Sequence, residues 1–133
     1  SGARADFAAL RAMSGGDPSL MNNICWNQAI AGFDLEQALA DCDVAVATGE
    51  AGIIDSRAMT LLHLGRYEEA KAAYDQALVG QPNLAASLYG RGLARLALGD
   101  AAGREDLERA KRLDVDVVED FAVFEARHPE IAR

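Results

Sequence analysis

The chain has 133 residues, 50% of them hydrophobic, with only 3 prolines and few aromatics (Trp 1, Tyr 3, Phe 4), and a net charge of −8. That length suffices for one domain with its own core, and abundant alanine, leucine, glutamate and arginine in place of β-branched runs favours helix. An acidic surface argues against nucleic acid or anionic lipid as partners, since like charges repel, and no apolar run approaches the ~18 residues of a membrane span.

In chain order, "ARADFAALRAM" (3–13) predicts a short amphipathic helix with Phe7 and Leu10 on one side, ended by Ser14-Gly15-Gly16. The start at Ser1 rather than Met reads as a processed or excised piece of a longer chain, with Ser1-Gly2 as a cloning remnant. Asp17-Pro18 opens a second helix with proline at a first helical position. Next comes "NNICWNQA" (22–29), which holds Cys25 and the single tryptophan, Trp26. Asp34 and Gln37 have capping-box spacing at the head of "FDLEQALADCDVAV" (33–46), which carries Cys42. Between Ala12 and Ser56 there is no Lys or Arg, against the acids Asp17, Asp34, Glu36, Asp41, Asp43, Glu50 and Asp55. Such a stretch is either a solvated acidic face or one that meets neutral or cationic groups.

From Ser56 onward the chain repeats itself. "SRAMTLLHLG" (56–65) and "GRGLARLALG" (90–99) lie 34 residues apart, as do the Leu-Gly pairs that close them. After each pair the apolar spacing is again helical: Ala70, Ala73-Tyr74 and Ala77-Leu78 share one face. Gly65 and Gly99 fall between two helical runs, where a chain reversal favours a residue without Cβ. Pro82-Asn83 separates one unit from the next, and 33–46 is a weaker third copy of 66–78. The last predicted element, "VDVVEDFAVFEARH" (115–128), has Asp116 and Glu119 in capping-box spacing and Val117, Phe121 and Phe124 on one face. It is expected to be a solvating end helix, followed by a frayed "HPEIAR" tail.

These features together resemble the tetratricopeptide repeat, a 34-residue helical hairpin. Ala51 to Leu84 is the best match, with Ala58, Gly65-Arg66-Tyr67, Ala70, Tyr74, Ala77 and Pro82 in register; the resemblance covers about residues 18–115. It implies an all-α, right-handed superhelical stack of antiparallel helical hairpins with capping helices at both ends. The expected division is an N-terminal helix and linker (1–16), an array at 17–114 (17–50, 51–84, 85–114), and a C-terminal capping helix and tail (115–133). Small residues are expected where helices cross closely, Ala58 with Ala70 and Ala77 in one unit and Gly92 with Ala110 in the next.

The resemblance also implies a concave groove that takes a peptide or helix of a partner. Carried over residue by residue, its lining includes Asn23, Trp26, Asp55, Met59, His63, Tyr89 and Leu93. Ser56, Ala86 and Gly90 stand where chaperone-binding members of the family grip a terminal carboxylate, so a basic or amphipathic segment is the expected ligand. Self-association, or service as an accessory domain of a larger exported enzyme, is the other reading.

Against that frame, Cys25 takes a small-residue position and Cys42 faces inward, which leaves two readings open: two buried thiols or one disulfide. No Cys-x-x-Cys pair or zinc spacing is present, and no histidine lies near either cysteine in sequence. Trp26 either packs between hairpins or lines the groove as an anchor. His63 ends a helix, where an imidazole suits the dipole. "GRGLARLALGD" lacks the ending of a phosphate loop, so Gly90 and Gly92 are read as packing positions within a helix. No catalytic residue, cofactor or metal is expected, and the chain is read as an interaction module rather than an enzyme. The 11 Arg against 2 Lys point to a bacterial source, cytoplasmic or periplasmic.

Overall fold

The computed structural model describes residues 2–46 and 51–132, and among them the regular structure is helical with no strand. Ser1, Glu50 and Arg133, together with the expected boundary at 50/51, lie at or beyond the described residues. The helices are α1 (Gly2–Ser14), α2 (Pro18–Ala31), α3 (Leu35–Ala45), α4 (Ala51–His63), α5 (Tyr67–Gly80), α6 (Ala85–Ala97), α7 (Gly103–Leu113), α8 (Val117–Asp120) and α9 (Ala122–Arg127). Consecutive helices pair most extensively as α2 with α3, α4 with α5, and α6 with α7, and α4 also packs on α2, α3 and α6.

Three of the turns share one local chemistry. Gly32, Gly65 and Gly99 adopt φ of 63°, 78° and 85°, a left-handed conformation that costs glycine little. In each, the glycine N–H donates three residues back and the next N–H five residues back. The pairs are Gly32 to Ala29 and Phe33 to Gln28, Gly65 to Leu62 and Arg66 to Leu61, and Gly99 to Leu96 and Asp100 to Arg95. This double closure satisfies carbonyls that a helix end otherwise leaves bare.

The helix starts are less uniform. Asp17 caps α2 through its side chain, accepting from Ser19 N at 2.9 Å and Leu20 N at 3.2 Å. The expected capping box at Asp34 is absent: Asp34 has φ 49° and makes no side-chain cap. Its carboxylate meets Arg4 at 3.3 Å, while Gln37 donates to Asp41 at 3.1 Å. Asp116 likewise makes no side-chain cap.

Close helix approach relies on glycine where α6 crosses its neighbours. A Cβ on Gly90 would run into the Tyr74 ring, and one on Gly92 would come within 2.7 Å of the Gly103 carbonyl oxygen. The partner of Gly92 at this crossing is thus Gly103, with Leu107 beside it, where the sequence suggested Ala110. Ala110 is buried on the same helix, about two turns beyond Gly103.

The main core is continuous from Ala29 and Ile54 through Met59, Leu62, Tyr74, Leu88, Tyr89 and Leu93 to Val117, Phe121 and Phe124. The C-terminal segment therefore differs from expectation. It is two short helices with a break at Phe121 (φ −107°, ψ 5°), and its aromatic face is inside the molecule. Nor is the tail frayed over its described part: Ile131 packs on the core, and Arg104 Nη1 donates to the Ala132 carbonyl at 2.7 Å. The break at Phe121 lets both phenylalanines turn inward, and their removal from water supplies the driving force.

Candidate functional site

The residues singled out from sequence on α4 and α6 do converge, but on a filled surface. Met59 and Leu93 are fully buried, and Asp55 and Tyr89 nearly so. Tyr89 stacks at 4.9 Å on Phe121 and its hydroxyl donates to Glu125. His63 meets Phe124 edge-on at 5.4 Å. On the α2 side, Arg127 Nη1 donates to the Gly32 carbonyl at 2.9 Å, and Trp26 is half-buried against the same core. Asn23 stands apart: it is exposed and lines a different groove, between α1 and α2. The face of α2, α4 and α6 is thus occupied by the chain's own residues 117–127.

Four ionisable groups in or beneath this seat are strongly perturbed. Burial pushes the Asp55 carboxyl up to about 7, the Ser87 hydroxyl donating at 2.8 Å pulls it back, and the charge of Asp120 adds to the rise. Burial lowers His63 to about 4, reinforced by Arg127 and His128. His63 therefore stays neutral at ordinary pH, and the helix-dipole role suggested by its place on α4 does not apply. Burial and then the hydrogen bond to Glu125 raise the Tyr89 phenol. Tyr74, beneath Gly90, is raised well above its ordinary value by burial and by Asp55.

Sequence reasoning missed the other half of this surface. Phe121, Phe124 and Glu125 read as a solvating helix because nothing local says which way an amphipathic face turns. Ser87, the partner of Asp55, had no sequence signal, since the pair is 32 residues apart.

Cys25 and Cys42 are joined in a disulfide with a Cα–Cα distance of 5.4 Å, which ties α2 to α3. Both are fully buried and share a small cluster with Ala38. Beside it Asp41, 1% exposed, accepts from Arg11 Nε at 2.6 Å and Nη2 at 2.9 Å and from Gln28 at 2.8 Å. The acidic stretch is thereby partly neutralised from outside: Arg4 meets Asp34, Arg11 meets Asp41, and Arg57 meets Asp43 at 2.7 Å. Among the described residues no group of three or more His, Cys, Asp or Glu is placed to hold a metal ion. Among the same residues no helix is long and apolar enough to cross a membrane.

No protein-family model matches the chain, and no curated protein or solved structure matches it either.

Proposed function

We propose that the chain is a protein-interaction module of the tetratricopeptide type, a right-handed stack of helical hairpins without catalysis of its own. Its concave face, formed by α2, α4 and α6, binds a short amphipathic helix. The observation that carries this reading is the seat of Val117–Arg127. That segment buries Phe121 and Phe124, gives Glu125 to Tyr89 and anchors Arg127 on Gly32. A surface that accepts two aromatic anchors about one turn apart, with polar contacts at its edges, has the features of helix-in-groove recognition. The seated segment is amphipathic and mostly acidic, with Glu119, Asp120 and Glu125 against Arg127. A partner helix competes with it for the same seat.

The test loosens the segment without emptying the core. In the full chain carrying Glu125→Gln and Arg127→Ala, a fluorescent peptide of residues 115–132 is expected to bind saturably, at least about tenfold tighter than to the unaltered chain. There the tethered copy competes at an effective concentration on the order of mM. Absence of saturable binding to either chain, with amides of 117–127 exchanging only on global unfolding, overturns the proposal.

The buried disulfide favours an exported, oxidising location over the cytoplasm. It is also the observation that favours the second reading, an accessory domain of a larger exported enzyme.

A further inference from the structure

A second surface lies at the other end of the molecule. Helices α1 and α2 run back to back from the Gly15-Gly16 turn and leave an open groove of ≈ 300 Å³ between them. Phe7, Leu10 and Met13 form one wall, and Leu20, Ile24 and the amides Asn23 and Asn27 the other. Its large side chains are unusually bare for their kind: Met13 is 82% exposed, Leu10 51% and Leu20 48%. The lining from Leu20 to Asn27 spans about 10 Å along α2, two turns of helix. That length and volume suit two apolar side chains of a partner helix at i, i+3 or i+4 spacing.

The charge around the groove has one sign. Asp6 shares a helix face with Leu10 and Met13, and Asp17 stands at the turn end beside Leu20. Both are exposed, and neither forms an ion pair among the described residues. The two arginines of α1 are engaged by other carboxylates, Arg11 by the buried Asp41 and Arg4 by Asp34. No Lys or Arg lies in 12–56 to offset the two carboxylates. A low-dielectric apolar floor between two acids holds a negative potential that favours cations at its rim. The chain's own net charge of −8 disfavours a second copy here.

We propose that the α1–α2 groove is a docking site for a basic amphipathic helix of a partner protein, with leucine-like anchors on Phe7, Leu10, Met13 and Leu20 and lysines or arginines over Asp6 and Asp17. It is separate from the seat of residues 117–127 and uses none of the same residues. Two partners, or two segments of one partner, can then engage the module at once.

The probe is a synthetic helix-forming peptide of about 14 residues, with leucines at i, i+3, i+4 and i+7 and lysines opposite. It is titrated calorimetrically onto the intact, disulfide-bonded chain, with a matched peptide bearing glutamates for lysines as the control. The lysine peptide is expected to bind and the glutamate peptide not to. Met13→Ser with Leu20→Ser, both at exposed positions, should weaken binding about tenfold or more through lost apolar contact. Asp6→Lys with Asp17→Asn, which keeps a capping side chain, should weaken it several-fold and flatten its salt dependence. The proposal is overturned by no binding of the lysine peptide, by binding untouched by the serine pair, or by equal binding of the glutamate peptide. A dimer in sedimentation that the serine pair dissociates overturns it in favour of a second copy as the occupant.

Discussion

The first hairpin and the last one solve the same packing problem with different means. Between α2 and α3 the central contact is small: Cys25, Ala38 and Cys42 form their own cluster, apart from the main core. It is closed by a covalent bond and flanked by a buried carboxylate that Arg11 and Gln28 satisfy. Between α6 and α7 two glycines allow near-backbone contact, and Leu93, Ala94, Leu107 and Ala110 belong to the large core that Phe121 and Phe124 complete. Even the polar element there is nearer the surface: Asp106 is held by Arg91 at 2.9 Å and Arg95 at 2.9 Å. Where apolar volume is thin, a crosslink takes over part of the work that burial does elsewhere, and the carboxylate beside it is tolerated because it is paired and hydrogen-bonded.

The largest effect is expected at the C-terminal side of the molecule. Phe124→Ala removes a fully buried ring from the contact with His63 and should cost about 4 kcal/mol in urea unfolding. A loss within the range of surface substitutions would mean that the segment does not complete the core. On the other side, replacing both Cys25 and Cys42 with alanine frees a loop of sequence separation 17 and should cost about 3 kcal/mol. Hydrogen exchange should place the loss in α2 and α3 and leave α6 and α7 protected. An equal loss of protection in both hairpins would mean that the crosslink does not act locally on α2 and α3.

The smallest effect concerns pH. Asp55 is raised on folding from 3.8 to about 7, so the folded state binds its proton more tightly. Its contribution is present below the unfolded pKa and is lost as pH rises from about 4 to 7. His63 is lowered from 6.5 to about 4, so its contribution is present above pH 6.5 and is lost as pH falls toward 4. Between these limits the two groups oppose each other, and stability should be nearly flat. Asp55→Asn should make stability rise with pH there, and His63→Gln should make it fall, each by at most ~1.4 kcal/mol per pH unit. Identical pH profiles for the two variants would rule out this compensation.

The turn glycines were legible in the sequence because their requirement is local. Gly65 and Gly99 sit where a helix must end, and positive φ selects glycine whatever the surroundings. The helical faces of 66–78 and 90–99 were legible for the same kind of reason, since periodicity is a property of neighbours along the chain. The capping box at Asp34 misled because a spacing of three residues says nothing of the φ that the cap adopts, and Asp34 is left-handed. The site was legible only by half. Tyr89, Met59 and Leu93 were recognised as a surface, yet what lies on that surface, Phe121 and Phe124, comes from a distant part of the chain.

By itself, then, the sequence determined the helical class, the positions of the reversals and which side of each central helix is apolar, because these depend on contacts within a few residues. Tertiary structure alone decided that Cys25 meets Cys42 as a bond and that Arg4, Arg11 and Arg57 neutralise the acidic stretch. It also decided that Phe121 and Phe124 turn inward to cover Tyr89 and His63. An amphipathic helix carries the pattern of its buried face but not the identity of what buries it, and that choice is made only when the whole chain competes for the same apolar surface.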